Sequence, residues 1–154
     1  MKNIRTATFC LILTWLLAGI ALAAEPEKEL VIRVATDASS PPMSMLDHND
    51  HIVGFDIDVM NAIATEAGFK VIIQNTTRKD MFTGLADDRY DAVIGSVVIG
   101  GPENNGLDFS APYLDAYGIA VKKGNTALLD LINKGIRAVK SKGIDQKLKK
   151  RWLK

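Results

Sequence analysis

The chain has one cysteine, Cys10, among its 154 residues. That excludes a disulfide framework, paired C-x-x-C metal motifs and, beyond the extreme N-terminus, a thiol nucleophile. Histidine is almost as scarce: His48 and His51 stand three apart in an acidic turn, too few ligands for a convincing metal site and better read as solvated loop residues. There is no G-x-G-x-x-G, no P-loop lysine motif and no G-x-S-x-G elbow. Dinucleotide binding, phosphate cradling by a glycine loop and elbow-type hydrolysis therefore have no support. Aromatic residues make up only 6% and are not interleaved with basic ones, and the net charge is +1, so no nucleic-acid surface is expected. What is present is 47% hydrophobic and 24% charged residues, the composition of one packed globular domain.

The first 23 residues have the layout of a secretory signal: Lys2 and Arg5, an uncharged apolar stretch from Thr8 to Leu22, and a small-x-small pattern at Ala21-Leu22-Ala23 before Glu25-Pro26. The expected domains are thus a cleaved signal peptide over 1–23 and a single lobe over 24–154, exported to the periplasm. Cys10 lies inside the signal and is not preceded by a lipobox. Cleavage leaves 131 of the 154 residues with no cysteine, long enough to rely on a hydrophobic core alone. Charge is uneven in that remainder. Residues 134–154 hold nine basic residues and one acid, Asp145, whereas 24–133 hold eight basic and 17 acidic. A basic C-terminal face is read as a solvated helix surface with cations toward the helix end, where the macrodipole favours them; a docking surface is the alternative.

Periodicity predicts a buried strand at Leu30–Ala35, a loop over Thr36–Pro42, and a helix over Asp56–Ala67 with Asp56 as its N-cap and Gly68 as its stop. A second strand follows at Lys70–Gln74, a second helix at Lys79–Asp87 and a third strand at Tyr90–Gly95. Gly100–Gly106 reads as loop, Ala116–Val121 as a fourth strand, and Asn125 or Thr126 caps a final helix that breaks near Lys142-Gly143 before a last amphipathic turn. Two strand–helix–strand units in succession imply a mainly parallel sheet. In such sheets ligands sit beyond the carboxyl ends of the strands. The loops leaving those ends are Thr36–Met43, Asn75–Arg78 and Ser96–Glu103, which makes Asp37, Ser40, Arg78, Ser96 and Glu103 candidate pocket groups. The same residues fit a structural role equally well, with Asp37 and Ser39 capping the turn and Pro41, Pro42 and Met43 packing.

Three stretches, VATDASSPPMSMLDHNDHIVGFDIDVMNAIATEAGFKV, FTGLADDRYDAVIGSVVI and LDFSAPYL, resemble in order the bacterial extracellular solute-binding proteins of family 3, which serve polar amino-acid ABC importers. The resemblance implies an α/β fold of the type II periplasmic-binding-protein kind, normally two lobes closing on a ligand. Here AYGIAVKKGNTALLDLINKGIRAV resembles the strand and helix that return to the first lobe, and KLKKRWLK the closing helix, so a single lobe is implied with the second absent. Together with the loops at the strand ends, from which Arg78 comes, it gives an expected ligand set of Asp37, Ser40, Met43, Arg78, Gly95, Ser96 and Glu103. Ser40 stands where the family stacks an aromatic, Gly100 where it often has Thr, and Glu103 where it has the Arg that pairs with the ligand carboxylate. A glutamate there repels that carboxylate. The implied function is a non-catalytic module binding a small, polar, amino-acid-like ligand weakly or as a dimer, without cofactor. Its implied partners are an importer permease or a second copy of itself. A sensory or interaction module that kept the scaffold and lost the ligand is the alternative.

Overall fold

The computed structural model describes residues 29–102 and 106–154. The signal-peptide expectation and Glu103 both fall outside the described residues. The first strand, β1 (Val31–Thr36), is a β-branched run whose last three residues are fully buried. It is followed by a small antiparallel sheet of β2 (Ser39–Ser40), β3 (Ser44–Leu46) and β4 (Ile52–Val53). The stretch expected to be loop over Thr36–Pro42 therefore contains one short strand.

Helix α1 (Phe55–Ala67) buries Ile57, Met60, Ile63 and Ala64, the expected stripe, and ends at Gly68, whose N–H bonds Ala64 O at 2.9 Å in the left-handed conformation. Its start differs from expectation. The N-cap is Gly54 at φ 139, and no side chain caps the helix. A Cβ at Gly54 would collide with the Met43 carbonyl oxygen, which itself accepts the Asp56 N–H at 2.9 Å. Asp56 is thus one residue inside the helix and is free to point inward.

The chain continues through β5 (Lys70–Asn75), α2 (Arg78–Ala86), β6 (Ala92–Val93), β7 (Leu107–Phe109), β8 (Ala120–Lys122), α3 (Thr126–Ser141) and α4 (Ile144–Trp152). The main sheet has five strands in the order β5-β1-β6-β8-β7. β5, β1 and β6 are parallel, as expected; β8 runs antiparallel to both β6 and β7, so the sheet is mixed. β7 falls in the DFSAPY segment, where its three residues are too short a run to show alternation.

Alternation along the strands assigns the two faces. Val34, Ala92, Ile94 and Val121 join Phe55, Met60, Ile63, Ile132 and Ile136 in the larger core, whereas Ala35, Val93 and Ala120 pack with Met81, Leu85 and Val97 beneath α2. The β7–β8 connection turns back sharply at Leu114–Tyr117, with Tyr117 N–H bonding Leu114 O at 2.7 Å and Asp115 at φ 44. Asn125 caps α3, its side chain accepting from Leu128 N, and Gly143 at φ 64 separates α3 from α4, both as the sequence suggests. The last turn docks on α1: Trp152 Nε1–H and Arg151 Nη1–H both donate to Asp58 Oδ2, at 2.8 and 3.1 Å.

Candidate functional site

The parallel strands β5, β1 and β6 end at Asn75, Thr36 and Val93, and the segments that leave them are stitched to one another. Thr76 N–H donates to Thr36 O at 2.9 Å, and Ala38 N–H to the Asn75 side-chain oxygen at 2.9 Å. The Arg78 amide, at the start of α2, donates to Asp37 Oδ2 at 3.1 Å. Arg78 Nη1 reaches across to Gly95 O at 3.2 Å, and its guanidinium lies 5.7 Å from the Phe82 ring centre. Asp37, Arg78, Gly95 and Ser96 are therefore gathered at one end of the sheet. Arg78 is not in a loop, as expected, but opens the helix behind the Thr77 cap, whose hydroxyl accepts the Asp80 amide.

Ser40 and Met43 sit beside this group on the β2–β3 hairpin and do different things. Ser40 is exposed, and its carbonyl accepts the Met43 amide at 2.9 Å. Met43 is half-buried against the larger core. Behind the hairpin the Thr36 and Ser44 hydroxyls, both fully buried, bond each other at 3.0 Å. The far rim is formed by Val98 and Ile99, held to the β7–β8 turn by a bridge between Val98 and Tyr117 and by Ile99 N–H to Ala116 O at 2.9 Å.

One functional group escaped the sequence reading. Asp56 is fully buried, and its carboxylate accepts two bonds, from Ser96 N–H to Oδ2 and from Tyr113 O–H to Oδ1, both at 2.9 Å. Burial pushes its pKa from 3.8 up to about 6, a rise that the bonds from Tyr113 and Ser96 limit. The Tyr113 hydroxyl is held well above its ordinary value, first by its own burial and then by the neighbouring carboxylate. At neutral pH Asp56 is thus an ionised carboxylate clamping Ser96, which sits in the left-handed region at φ 51 next to Gly95 at φ 150. A signal was available: Asp56 precedes Met60 by four residues and Ile63 by seven, so it lies on the apolar stripe of α1 and not beside it.

Two other places carry polar groups but make no site. His51 Nδ1 is 3.4 Å from Asp47 Oδ2, and His48 bonds its neighbour Asn49; among the described residues no group of three His, Cys, Asp or Glu side chains could hold a metal. A cavity of about 300 Å³ lies at the opposite, amino end of β1, lined by Leu30, Ile32, Asp91, Asn125, Ala127, Leu128 and Leu131. Its polar groups are already engaged: Asp91 holds Arg33 through both carboxylate oxygens, at 2.7 and 3.0 Å, and Asn125 caps α3. The sheet's carboxyl end is the better candidate.

The bacterial extracellular solute-binding proteins, family 3, match this chain over residues 32–154. A probable histidine-binding protein of Neisseria gonorrhoeae is 36% identical over 95 residues, 62% of this chain and 35% of that protein. A cyclohexadienyl dehydratase of Pseudomonas aeruginosa is 31% identical over 84 residues, 54% of this chain and 31% of that protein. The chain spans about a third of the length of these two curated relatives. Among solved structures, the arginine-bound form of domain 1 from TmArgBP superposes with a TM-score of 0.65 at 34% identity, covering 70% of this chain and 91% of that one.

Proposed function

Because the chain belongs to the bacterial extracellular solute-binding proteins, family 3, we propose that it is an exported, non-catalytic binding module for a small amino-acid-like solute. Residues 1–23 are its cleaved signal, 24–154 its single lobe, and the periplasm its compartment. The ligand lies on the face where Asp37, Ser40, Met43, Arg78, Gly95 and Ser96 surround the carboxyl end of the sheet, and Glu103 follows Ser96 by seven positions in the sequence. The observation that carries this is the convergence of an acid, Asp37, and a cation, Arg78, on one patch at the carboxyl end of the sheet. Among the described residues Asp37 accepts the Arg78 amide through Oδ2, which leaves Oδ1 to take a ligand ammonium. Arg78 brings a cation to the start of a nine-residue helix, where the dipole also favours a carboxylate. Support for one lobe sufficing comes from the arginine-bound single domain at 34% identity.

One wall leaves a ligand half in water, so affinity is weak, or a second copy supplies the other wall; an importer permease is the downstream partner. The test is calorimetry of the mature chain with L-arginine, L-histidine and L-glutamine, alongside light scattering. Measurable heat with at least one of them is expected, weakened about tenfold or more in Asp37→Asn, the size of one lost charge-assisted bond. Absence of heat for all three refutes the reading. It would favour instead an interaction module that kept the scaffold, to which the acid at Glu103 and the basic surface over 134–154 point.

A further inference from the structure

We propose that Asp56, which no ligand can touch, is a positioning residue for the ligand face, holding Ser96 in its binding conformation while charged and releasing it when protonated. This rests on the reading of that face as the ligand site. The geometry is specific. Ser96 is the first residue of the loop leaving β6 and occupies the left-handed region, φ 51, which a serine adopts only when its surroundings impose it. The restraint visible on its backbone is the 2.9 Å bond from its N–H to Asp56 Oδ2. On the other side of the same peptide, Gly95 O receives Arg78 Nη1 at 3.2 Å. A rotation that relaxes Ser96 therefore also moves the acceptor that orients the Arg78 cation.

Both bonds of Asp56 are accepted, and a neutral carboxyl can accept only one of them with its carbonyl oxygen. A proton on Oδ2 faces the Ser96 N–H, donor against donor; it can turn to the Ser96 hydroxyl, whose side chain also interacts with this carboxylate, but the backbone N–H then loses its charged acceptor. A proton on Oδ1 can be donated to the Tyr113 oxygen if the phenol turns its own hydrogen away, but Ser96 then keeps only an uncharged, weaker acceptor. The titratable groups around Asp56 are few. Tyr113 donates to it; Tyr117 stands near Tyr113. Lys140 and Asp145 line a small cavity that Tyr113 also lines, and Lys140 Nζ is already bonded to Pro112 O. Asp58, two residues on, is engaged by Arg151 and Trp152. Tyr113 is the one of these that bonds Asp56, so the site's response follows Asp56 itself.

With a pKa of about 6, one Asp56 in about eleven is ionised at pH 5. If only that fraction is competent, affinity at pH 5 is about tenfold below its value at pH 8. The experiment has two arms on the mature chain. In the ligand-free arm, the Ser96 amide proton is followed by NMR from pH 4.5 to 8. It should titrate with a midpoint near 6 in the wild type, stay flat in Asp56→Asn, and titrate with a higher midpoint in Tyr113→Phe, which removes a bond favouring the ionised form. In the binding arm, L-arginine calorimetry at pH 5 and pH 8 should show the tenfold loss in the wild type and none in Asp56→Asn. A Ser96 amide that is flat in the wild type, or an Asp56→Asn variant with the wild-type pH dependence of binding, overturns the proposal. If no amino acid binds at any pH, the ligand-site reading fails, and the Ser96 titration still decides whether Asp56 governs that loop. Should Asp56→Asn not fold, the wild-type midpoint and its rise in Tyr113→Phe decide it.

Discussion

Asp56 makes the sign of the acid response unusual, and that sign can be measured. Its carboxyl titrates near 3.8 when the chain is unfolded and near 6 in the folded protein, because burial disfavours the charge. The folded state therefore binds this proton more tightly than the unfolded state, and between the two values stability falls as pH rises. The contribution is fully present below the unfolded value and is lost as pH passes through the folded one. At about 1.36 kcal/mol per pH unit the gap is worth about 3 kcal/mol, most of it falling between pH 4 and pH 7. Other carboxylates add slopes of the opposite sign: Asp91, held below its usual range by Arg33, and Asp47, held down by the His51 and Asn49 amides. The clean measurement is thus a difference. Urea unfolding of the wild type and of Asp56→Asn, at half-unit steps from pH 4 to pH 7, should give a stability difference that moves by about 2–3 kcal/mol against the wild type as pH rises. A difference that is flat, or that moves toward the wild type, would refute a buried carboxylate with a raised pKa.

Four further substitutions follow from packing and from side-chain bonds. Gly135 sits in the middle of α3 where an added Cβ would press on the Ile63 backbone carbonyl of α1; Gly135→Ala gains about 1 kcal/mol of helix propensity but loses more to the forced separation of two helices, for a net loss of about 1 kcal/mol in chemical unfolding. Thr36→Val keeps the shape of a fully buried side chain and orphans the Ser44 hydroxyl; a loss of about 1–3 kcal/mol is expected, and Thr36→Val combined with Ser44→Ala should recover part of it. Trp152→Phe removes a 2.8 Å bond to Asp58 and should cost about 1 kcal/mol. Arg151→Ala, whose ion pair to the same oxygen is largely exposed, should cost about half that or less. Equal losses for the two would show that the indole bond adds nothing.

Long elements with a clear period were legible in the sequence, and short ones were not. Helices α1 and α3, strands β1 and β5, and the stops at Gly68 and Gly143 were each readable from apolar spacing and glycine placement within a residue or two. β7 was not, since Leu107–Phe109 is three residues long and exists only because Leu107, Asp108 and Phe109 pair with Lys122, Val121 and Ala120 far along the chain. The site shows the same division. The loops at the strand ends were predictable from topology, and Asp37, Arg78, Gly95 and Ser96 do come together there. Asp56 was misread as a cap because an acid near a helix start usually serves one. Only the space taken by Met43 against Gly54 moves the helix start back and turns that acid into the core.

The β7–β8 connection is tied to the lobe that carries it. Where the chain turns back at Leu114–Tyr117, its polar groups are taken up by the lobe's own helices. Ala111 N–H donates to the Asn133 side chain at 2.7 Å, Pro112 O accepts Lys140 Nζ at 2.7 Å, and Tyr113 O–H donates to Asp56. Leu114 and Ile119 are buried beside it. Among the described residues, the large apolar side chains that this rim leaves exposed are Val98 and Ile99, at 42% and 36%. In the proposed reading a single wall leaves a ligand between Asp37, Arg78 and Ser96 with one side in water, where its charged contacts are screened. Added sodium chloride should then weaken L-arginine binding steeply while leaving the urea midpoint of the free lobe nearly unchanged, and a salt-independent affinity would mean that the ligand is enclosed after all.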